Sequence, residues 1–293
     1  MLTEIALGAL LLPAAGGAAP RQPVRAGRLD VRPFKSRILG ATRTIRVWTP
    51  PGLKRGERCD VLYLNDGQNL FGDGDPESGG GGWRVDESVA RLVAEHVIDP
   101  LIVVGLDNAG DRARGIDYLP LPDAFDAPPS GAAQASRVDR DPPGGDKYLA
   151  FVIDEVMPYV NAHYPTRTGP SHTGFGGSSY GAASAFYAVL SRPGVFGRVL
   201  LESPSLGVAN GVMLERARTF TAWPERIDIG IGSEEGRGGR GRGTTTIQTL
   251  SDILTADGLG ADRLRVVVQE GGRHNEASWA ARLPDAIAFL FRH

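Results

Sequence analysis

Short apolar runs alternate with amphipathic stretches along most of this chain. Residues 101–106 (LIVVGL) form a continuous apolar run, and residues 227–232 (IDIGIG) and 264–269 (LRVVVQ) are apolar over most of their length. Such runs are typical of strands whose sheet is covered on both faces, and we predict a central parallel strand at 101–106, a buried strand at 227–232 and the next strand at 264–269. Further strands are predicted at residues 29–34, 43–49, 61–65, 173–176 and 198–202, the first two as a β-meander.

Helical periodicity fills the intervals between these strands. Val89, Leu92 and Val93 share one apolar face after Asp86, which we expect to cap its helix. Helices are predicted over residues 86–96, 146–164, 182–191, 245–259 and 276–292. The alternation favours one α/β domain over residues 25–293, with a mostly parallel central sheet and helices on both faces.

Residues 108–145 are too numerous, and too rich in Pro, Gly, Ala and Asp, for an ordinary connection. They follow the strand at 101–106, and we expect them to form a lid-like loop beside a site at that end of the sheet. The alternative is an insertion that contacts nothing. If the loop is a lid, we expect its bulky residues to cover an acyl or aromatic group of the substrate: Tyr118, Leu119, Leu121 and Phe125.

A second irregular stretch is GRGGRGRG, residues 236–243. Glycine-rich repeats of this kind are typical of flexible connectors. The alternative is that Arg237, Arg240 or Arg242 attracts an anionic substrate.

The N-terminus carries a short apolar run at residues 5–12, followed by Pro13 and small residues at 14–19. This order is typical of a signal peptide, but residues 1–4 contain an acid and no Lys or Arg. Two interpretations of residues 1–20 stay open, a signal peptide and a disordered tail. The first would make the protein periplasmic or secreted, and the second cytoplasmic. The run is too short to span a membrane.

The composition is that of an ordinary globular domain, with 23% charged and 41% hydrophobic residues in a chain of 293. The formal net charge of −2 indicates neither a nucleic-acid partner nor an anionic membrane surface. Cys59 is the only cysteine, which excludes an intrachain disulfide and a thiolate-rich metal site.

Candidate chemistry begins with the pentapeptide GSSYG at residues 177–181, which has the pattern G-x-S-x-G with Ser179 at its centre. The pattern lies between a predicted strand and a predicted helix, the setting in which a sharp turn exposes a serine nucleophile. Flanking glycines let the backbone adopt a conformation that a Cβ would obstruct. The alternative is a glycine-rich turn with an incidental serine.

A serine nucleophile needs a base and an acid that orients it, here in the chain order Ser, acid, His. The sequence SEEG follows the strand at 227–232, and GGRH, ending at His274, follows the strand at 264–269. Glu234 and Glu235 are both candidates for the acid. The other histidines lie before the acid or at the C-terminus: His96, His163, His172 and His293. We therefore predict His274 as the base.

The strand at 61–65 runs into the turn Asp66–Gly67, which suggests an oxyanion hole. In serine hydrolases of this architecture, one N–H donor follows an early strand and the other belongs to the residue after the nucleophile. The predicted donors are the backbone N–H groups of Gln68 and Tyr180. Ordinary turn chemistry is the alternative reading of Asp66–Gly67.

Several longer motifs resemble the putative esterase family (esterase D and enterochelin-esterase-like proteins) of the α/β-hydrolases. The resemblance extends from about residue 29 to the C-terminus. It is carried by VLYLNDGQNLF (61–71), Trp83 with Asp86–Glu87, Asp107–Asn108 with DYLP (117–120), GGSSYGAASAFYAVLSRPGVFGRVLLESPSL (176–206), GSEEG (232–236) and HNEASW (274–279).

The resemblance implies an α/β-hydrolase fold, with Ser179 as nucleophile, His274 as base and Glu235 as the acid. Family members often carry Asp at the acid position, and Glu234 is adjacent, so the choice between the two glutamates stays open. The resemblance adds no metal and no cofactor. It supplies candidate substrate contacts at Asp66, Asn69, Tyr118 and Trp279.

The expected function is hydrolysis of a carboxylic ester through a Ser-Glu-His triad. The family's substrates include siderophore trilactones, feruloyl and acetyl esters of polysaccharides, and S-formylglutathione, so we expect a small-molecule or saccharide-linked ester. The alternatives are an acyltransferase to a sugar or another alcohol, and a catalytically idle binding module on the same fold. The oligomeric state is left open.

Overall fold

Eight strands form one sheet in the order β1-β2-β4-β3-β5-β6-β7-β8 in a computed structural model that describes residues 27–72, 81–120, 144–236 and 242–293. The strands are β1 (Arg28–Lys35), β2 (Thr42–Thr49), β3 (Asp60–Asn65), β4 (Leu101–Leu106), β5 (Thr173–Ser178), β6 (Arg198–Glu202), β7 (Arg226–Gly232) and β8 (Leu264–Gln269). All of these strands were predicted from the sequence.

Strand β2 pairs antiparallel with both β1 and β4, whereas β3 to β8 run parallel. The mostly parallel α/β fold expected from the sequence is therefore confirmed. Parallel strands bring their carboxyl ends to one edge of the sheet, where ligands bind in open α/β folds. The turns after β3, β5, β6, β7 and β8 thus share that edge.

Helices connect the parallel strands. They are α1 (Val85–Ala94), α2 (Asp111–Tyr118), α3 (Gly145–Ala150), α4 (Met157–His163), α5 (Tyr180–Ser191), α6 (Val212–Ala217), α7 (Arg242–Ala256) and α8 (Glu276–Phe291). The prediction that Asp86 caps α1 is wrong, since Arg84 precedes the helix. Asp86 lies in the first turn, where its charge complements the helix N-terminus.

The helix predicted at residues 146–164 has a π-helical segment, Phe151–Val156, between α3 and α4. Pro158 lies in the first turn of α4. Because proline has no N–H to donate to the preceding turn, a regular α-helical hydrogen-bond pattern cannot continue through it. The expected apolar side of this helix, including Phe151, Val152 and Val156, is buried.

The sheet separates two hydrophobic layers. Val61 and Tyr63 of β3 face the layer that contains residues of α2 to α7, while Leu62 and Leu64 face the layer formed with α1 and α8. This alternation follows from the two-residue period of a strand. It places helices on both faces and accounts for the nearly continuous apolar sequence of the central strands.

Several predicted features lie outside the described residues. They are the N-terminal segment 1–20, most of the proposed lid, including Leu121 and Phe125, and the connector residues Arg237 and Arg240. The described part of the 108–145 stretch includes α2. Within the described residues, no helix is long and apolar enough to cross a membrane, and no cluster of His, Cys, Asp and Glu could hold a metal ion.

A buried ion pair fastens α8 to the end of β6. Nε and Nη2 of Arg282 lie 2.8 and 2.6 Å from Oε2 of Glu202, and both side chains are almost inaccessible to solvent. Burial raises the pKa of Glu202 to about 8, against the opposing attraction of Arg282. Among the described residues, the other oxygen of Glu202 has no hydrogen-bond partner.

We expect Arg282→Met to lower the free energy of unfolding by about 3–5 kcal/mol at pH 9, because the buried Glu202 carboxyl loses the cation that stabilises its ionised form. The loss should be smaller at pH 6, where Glu202 is protonated. Arg273→Met is the matched control, since it removes only the exposed partner of Glu234 and should cost less than about 1 kcal/mol. Urea unfolding at both pH values measures the losses. A loss for Arg282→Met that matches the control would contradict the assignment.

Candidate active site

Ser179 occupies a strained turn between β5 and α5. Its backbone has φ 55° and ψ −119°, a conformation that side-chain-bearing residues rarely adopt. Its N–H donates to the carbonyl oxygen of Glu202 at 2.9 Å, which fixes the turn to the neighbouring strand β6. Non-glycine strain of this kind costs about 1–3 kcal/mol and is concentrated at functional sites.

The glycines on either side of this turn are required by close packing. A Cβ on Gly177 would lie 3.0 Å from the carbonyl carbon of Gly181. A Cβ on Gly181 would lie 2.9 Å from Cβ of Asn65. The two glycines of the G-x-S-x-G pattern therefore reflect close packing against each other's backbone and against Asn65 at the start of α5.

The two adjacent serines differ in exposure. Ser178 is buried at the end of β5, whereas Ser179 is half-buried and projects from the turn. Oγ of Ser179 lies 3.4 Å from Oγ of Ser205. Ser179 is therefore the serine that a ligand at the sheet edge can reach.

His274 follows β8, and its Nδ1 lies 2.8 Å from Oε2 of Glu235, which follows β7. When Nδ1 carries the ring proton and donates a hydrogen bond to Glu235, the unprotonated Nε2 is left as a hydrogen-bond acceptor. The imidazole is half exposed at the carboxyl edge of the sheet. No hydrogen bond joins it to Ser179 among the described residues.

Three donors converge on the carboxylate of Glu235. Besides His274, Ser203 Oγ and the N–H of Gly232 each donate to Oε1 at 2.7 Å. Burial alone would raise the pKa of Glu235, but these hydrogen bonds and the His274 ring lower it below its ordinary value. The carboxylate is thereby kept in the ionised form that can support a protonated imidazole.

Glu234 has different surroundings. Its carboxylate pairs with the exposed Arg273 at 2.7 Å, and it does not contact His274. Of the two candidate acids, only Glu235 lies against the imidazole in the structure.

The predicted oxyanion donors lie at the starts of two helical turns. Gln68 belongs to the 3₁₀ turn Gly67–Asn69 after β3, and Tyr180 is the first residue of α5. N–H groups in these positions have no acceptor within their own helix and suit anion binding. A Cβ on Gly67 would lie 2.7 Å from the carbonyl carbon of Gly105, so only glycine permits this turn.

Asp66 holds this turn in place and is not available as a substrate contact. It is a non-glycine residue at φ 59°, and its carboxylate is buried. Arg114 of α2 binds both carboxylate oxygens at 2.8 Å, and Nδ2 of Asn108 donates to one of them at 2.7 Å. The ion pair of Asp66 with Arg114 was not predicted from the sequence.

Tyr118 does not cover the site, and the prediction that it contacts substrate is wrong. Its side chain is 0% exposed and packs against Tyr148, with ring centroids 4.9 Å apart. The hydroxyl lies 3.2 Å from the N–H of Asp66 and 3.3 Å from its Oδ1. The residue points inward because α2 packs against α3 and α5.

Trp279 is likewise buried behind the imidazole, which corrects its assignment as a substrate contact. Its ring meets His274 edge to face at 5.2 Å, and its Nε1 donates to Ser203 Oγ at 2.8 Å. Asn69 is half-buried, and its Nδ2 donates to Glu276 at 3.3 Å. Its role as a substrate contact stays a prediction.

Ser203 and Arg114 were not predicted from the sequence, although both contact predicted site residues. Ser203 directly follows β6, so its place at a strand end was a usable signal. Arg114 lies in a stretch read as irregular, where no periodicity indicated a helix. Its contact with Asp66 could not be inferred from spacing.

Comparison with known proteins identifies a match between the Putative esterase family model and residues 36–290. The siderophore enterobactin esterase of Emericella nidulans is 26% identical over 59% of this chain and 55% of its own length. The uncharacterized protein YbbA of Bacillus subtilis is 22% identical over 79% of this chain and 85% of its own length. The chain thus spans only about half the length of the enterobactin esterase.

Solved structures share the fold. The siderophore hydrolase EstA from Aspergillus nidulans superposes with a TM-score of 0.67 at 21% identity, over 92% of this chain and 97% of that one. The enterobactin esterase FES from Shigella flexneri gives 0.65 at 20% identity, over 93% of this chain and 59% of that one. At these identities the likeness establishes the α/β-hydrolase type of fold.

The buried hydroxyl of Tyr118 should contribute to the stability of the fold. Tyr118→Phe should lower the free energy of unfolding by about 1–3 kcal/mol, since the buried N–H of Asp66 loses its acceptor. Tyr180→Phe, at a half-buried tyrosine, should change it by less than about 0.5 kcal/mol. Chemical unfolding of the two variants measures the difference. A Tyr118→Phe variant as stable as the parent would show that the hydroxyl contact contributes nothing.

Proposed function

The chain belongs to the putative esterase family, and from this premise we propose that it hydrolyses carboxylic esters through an acyl-enzyme on Ser179. One observation carries the proposal. The strained, accessible Ser179 and the hydrogen-bonded pair of Glu235 and His274 occupy turns at the same edge of one parallel sheet. An idle binding module would have no need for an ionised acid buried against an imidazole.

In the proposed first step, Nε2 of His274 takes the proton of Ser179 while the serine oxygen attacks the ester carbonyl. Glu235 accepts a hydrogen bond from the Nδ1–H group throughout and stabilises the imidazolium. Ser179 and His274 are not hydrogen-bonded in the structure, and such contacts commonly tighten only when substrate is bound.

The carbonyl oxygen becomes negatively charged as the tetrahedral intermediate forms. The N–H groups of Tyr180 and Gln68 are the proposed donors to it, supported by their positions at the starts of helical turns. Loss of one such donor typically costs about 2.7–4 kcal/mol of transition-state stabilisation. The ion pair of Asp66 with Arg114 holds the Gln68 turn against β3.

The intermediate collapses when His274 gives its proton to the leaving alcohol, which leaves the acyl group on Ser179. Water then attacks the acyl carbonyl, with His274 as general base, and the acid is released. The same acyl-enzyme could pass its acyl group to a sugar hydroxyl. Product analysis with and without a sugar acceptor separates hydrolysis from acyl transfer.

The proposed substrate is a small-molecule ester. Relatives named as siderophore esterases make a siderophore ester the first substrate to test, alongside feruloyl, acetyl-sugar, aryl and thioester compounds. A screen of the purified protein against this panel, scored by Ser179-dependent release of acid, identifies the ester class.

We expect Ser179→Ala to abolish covalent labelling by a fluorophosphonate and to remove ester hydrolysis. Ser178→Ala, at the buried neighbour, should retain a large part of both activities. Intact-protein mass spectrometry after labelling, followed by peptide mapping, measures the outcome. Labelling that persists in Ser179→Ala would overturn the mechanism.

The acid is tested by a matched pair of neutral variants. Glu235→Gln should lower kcat by about 100-fold or more, because it removes the charge beside His274 and favours the wrong tautomer. Glu234→Gln loses only an exposed ion pair and should stay within about 2-fold of the parent. Steady-state kinetics on one aryl ester compares them. Similar kcat values for the two variants would show that Glu235 is not the acid.

A further inference from the structure

We propose that Ser203 is a positioning residue that sets the orientation of the Glu235 carboxylate and ties it to the nucleophile turn. This inference rests on the proposed function, in which Glu235 supports His274. It adds a residue that acts on the chemistry through Glu235, without contact with the substrate.

Ser203 follows directly after β6 in an unfavourable backbone conformation. It is buried, with φ 47°, and its N–H donates to the carbonyl oxygen of Gly230 at 2.7 Å. Glycine is the residue that this region of φ favours. A serine here gives up backbone stability, and its hydroxyl is the group that offers a compensating contact.

The two carboxylate oxygens of Glu235 have different hydrogen-bond partners, and the Ser203 hydroxyl is a partner of only one of them. Ser203 Oγ donates to Oε1 at 2.7 Å, while Oε2 faces Nδ1 of His274 at 2.8 Å. The N–H of Gly232 also donates to Oε1. With Oε1 held from two sides, the carboxylate cannot rotate without breaking these bonds, and Oε2 stays aimed at the imidazole.

The proton of the Ser203 hydroxyl is directed by two donors from α8. Nε1 of Trp279 lies 2.8 Å from Oγ, and Nη2 of Arg282 lies 3.4 Å from it. A hydroxyl has one proton to donate and two lone pairs that accept. Since both neighbours on α8 can only donate, the Ser203 proton is left for Glu235.

The residue before Ser203 joins this arrangement to the nucleophile. The carbonyl oxygen of Glu202 accepts the N–H of Ser179 at 2.9 Å, and its side chain is held by Arg282. Glu202 and Ser203 are consecutive, so the end of β6 contacts the nucleophile through its backbone and the acid through its side chain. Movement of this dipeptide would change both positions together.

Ser203→Gly is the decisive variant, because glycine accepts the observed φ and removes only the hydroxyl. We expect kcat on an aryl ester to fall about 10- to 100-fold, as for the loss of a hydrogen bond to a charged group, with KM within about 2-fold. Thermal stability should not fall below that of Ser203→Ala, which keeps the backbone strain. His96→Gly is the matched control, since it makes the same backbone change at φ 56° away from the site and should leave kcat unchanged.

A second measurement shows whether Ser203 acts through Glu235. In a Glu235→Gln background, Ser203→Gly should lower kcat by no more than about 2-fold, since the carboxylate that it orients is already gone. The same penalty in both backgrounds overturns the inference, as does a folded Ser203→Gly variant with the kcat of the parent. A parent protein without Ser179-dependent turnover overturns the proposed function and this inference with it, so the two failures are distinguishable.

Discussion

The buried contact between Arg282 and Glu202 is the one on which the site's geometry depends. It joins α8 to the end of β6, in a place where neither side chain is accessible to water. The same helix begins just after His274 and carries Trp279, which packs against the imidazole. The same strand end accepts the N–H of Ser179 through the Glu202 carbonyl. One buried contact therefore helps to fix His274 and the Ser179 turn relative to each other.

Three strained residues lie at the edge of the sheet where the site lies. Asp66, Ser179 and Ser203 are non-glycine residues with positive φ, and each follows the end of a parallel strand. Each is held by specific contacts: an ion pair with Arg114, a hydrogen bond to Glu202, and bonds to Gly230 and Glu235. A strained conformation persists only where surrounding contacts hold it in place, and strained residues are frequent at functional sites.

Two buried glutamates near one another show how hydrogen-bond donors decide the charge of a carboxyl group. Burial raises the pKa of Glu202 to about 8 even beside Arg282, and one of its oxygens has no hydrogen-bond partner in the described part of the chain. Glu235 is also buried, but donors satisfy both of its oxygens, so its pKa is lowered. The carboxyl with converging donors is the one that stays ionised beside the imidazole.

The sequence by itself determined the strands, the helices other than α2 and α6, and the order of Ser179, an acid and His274, because hydrophobic period and strand-end position are local properties. It did not decide between Glu234 and Glu235, because adjacent side chains point in different directions and only the packed loop shows which one meets His274. Tyr118 and Trp279 were assigned to the substrate, yet tertiary packing turns both inward. Ser203 and Arg114 lie at the site because elements far apart in the chain pack together. The spacing of residues in the sequence does not show such contacts.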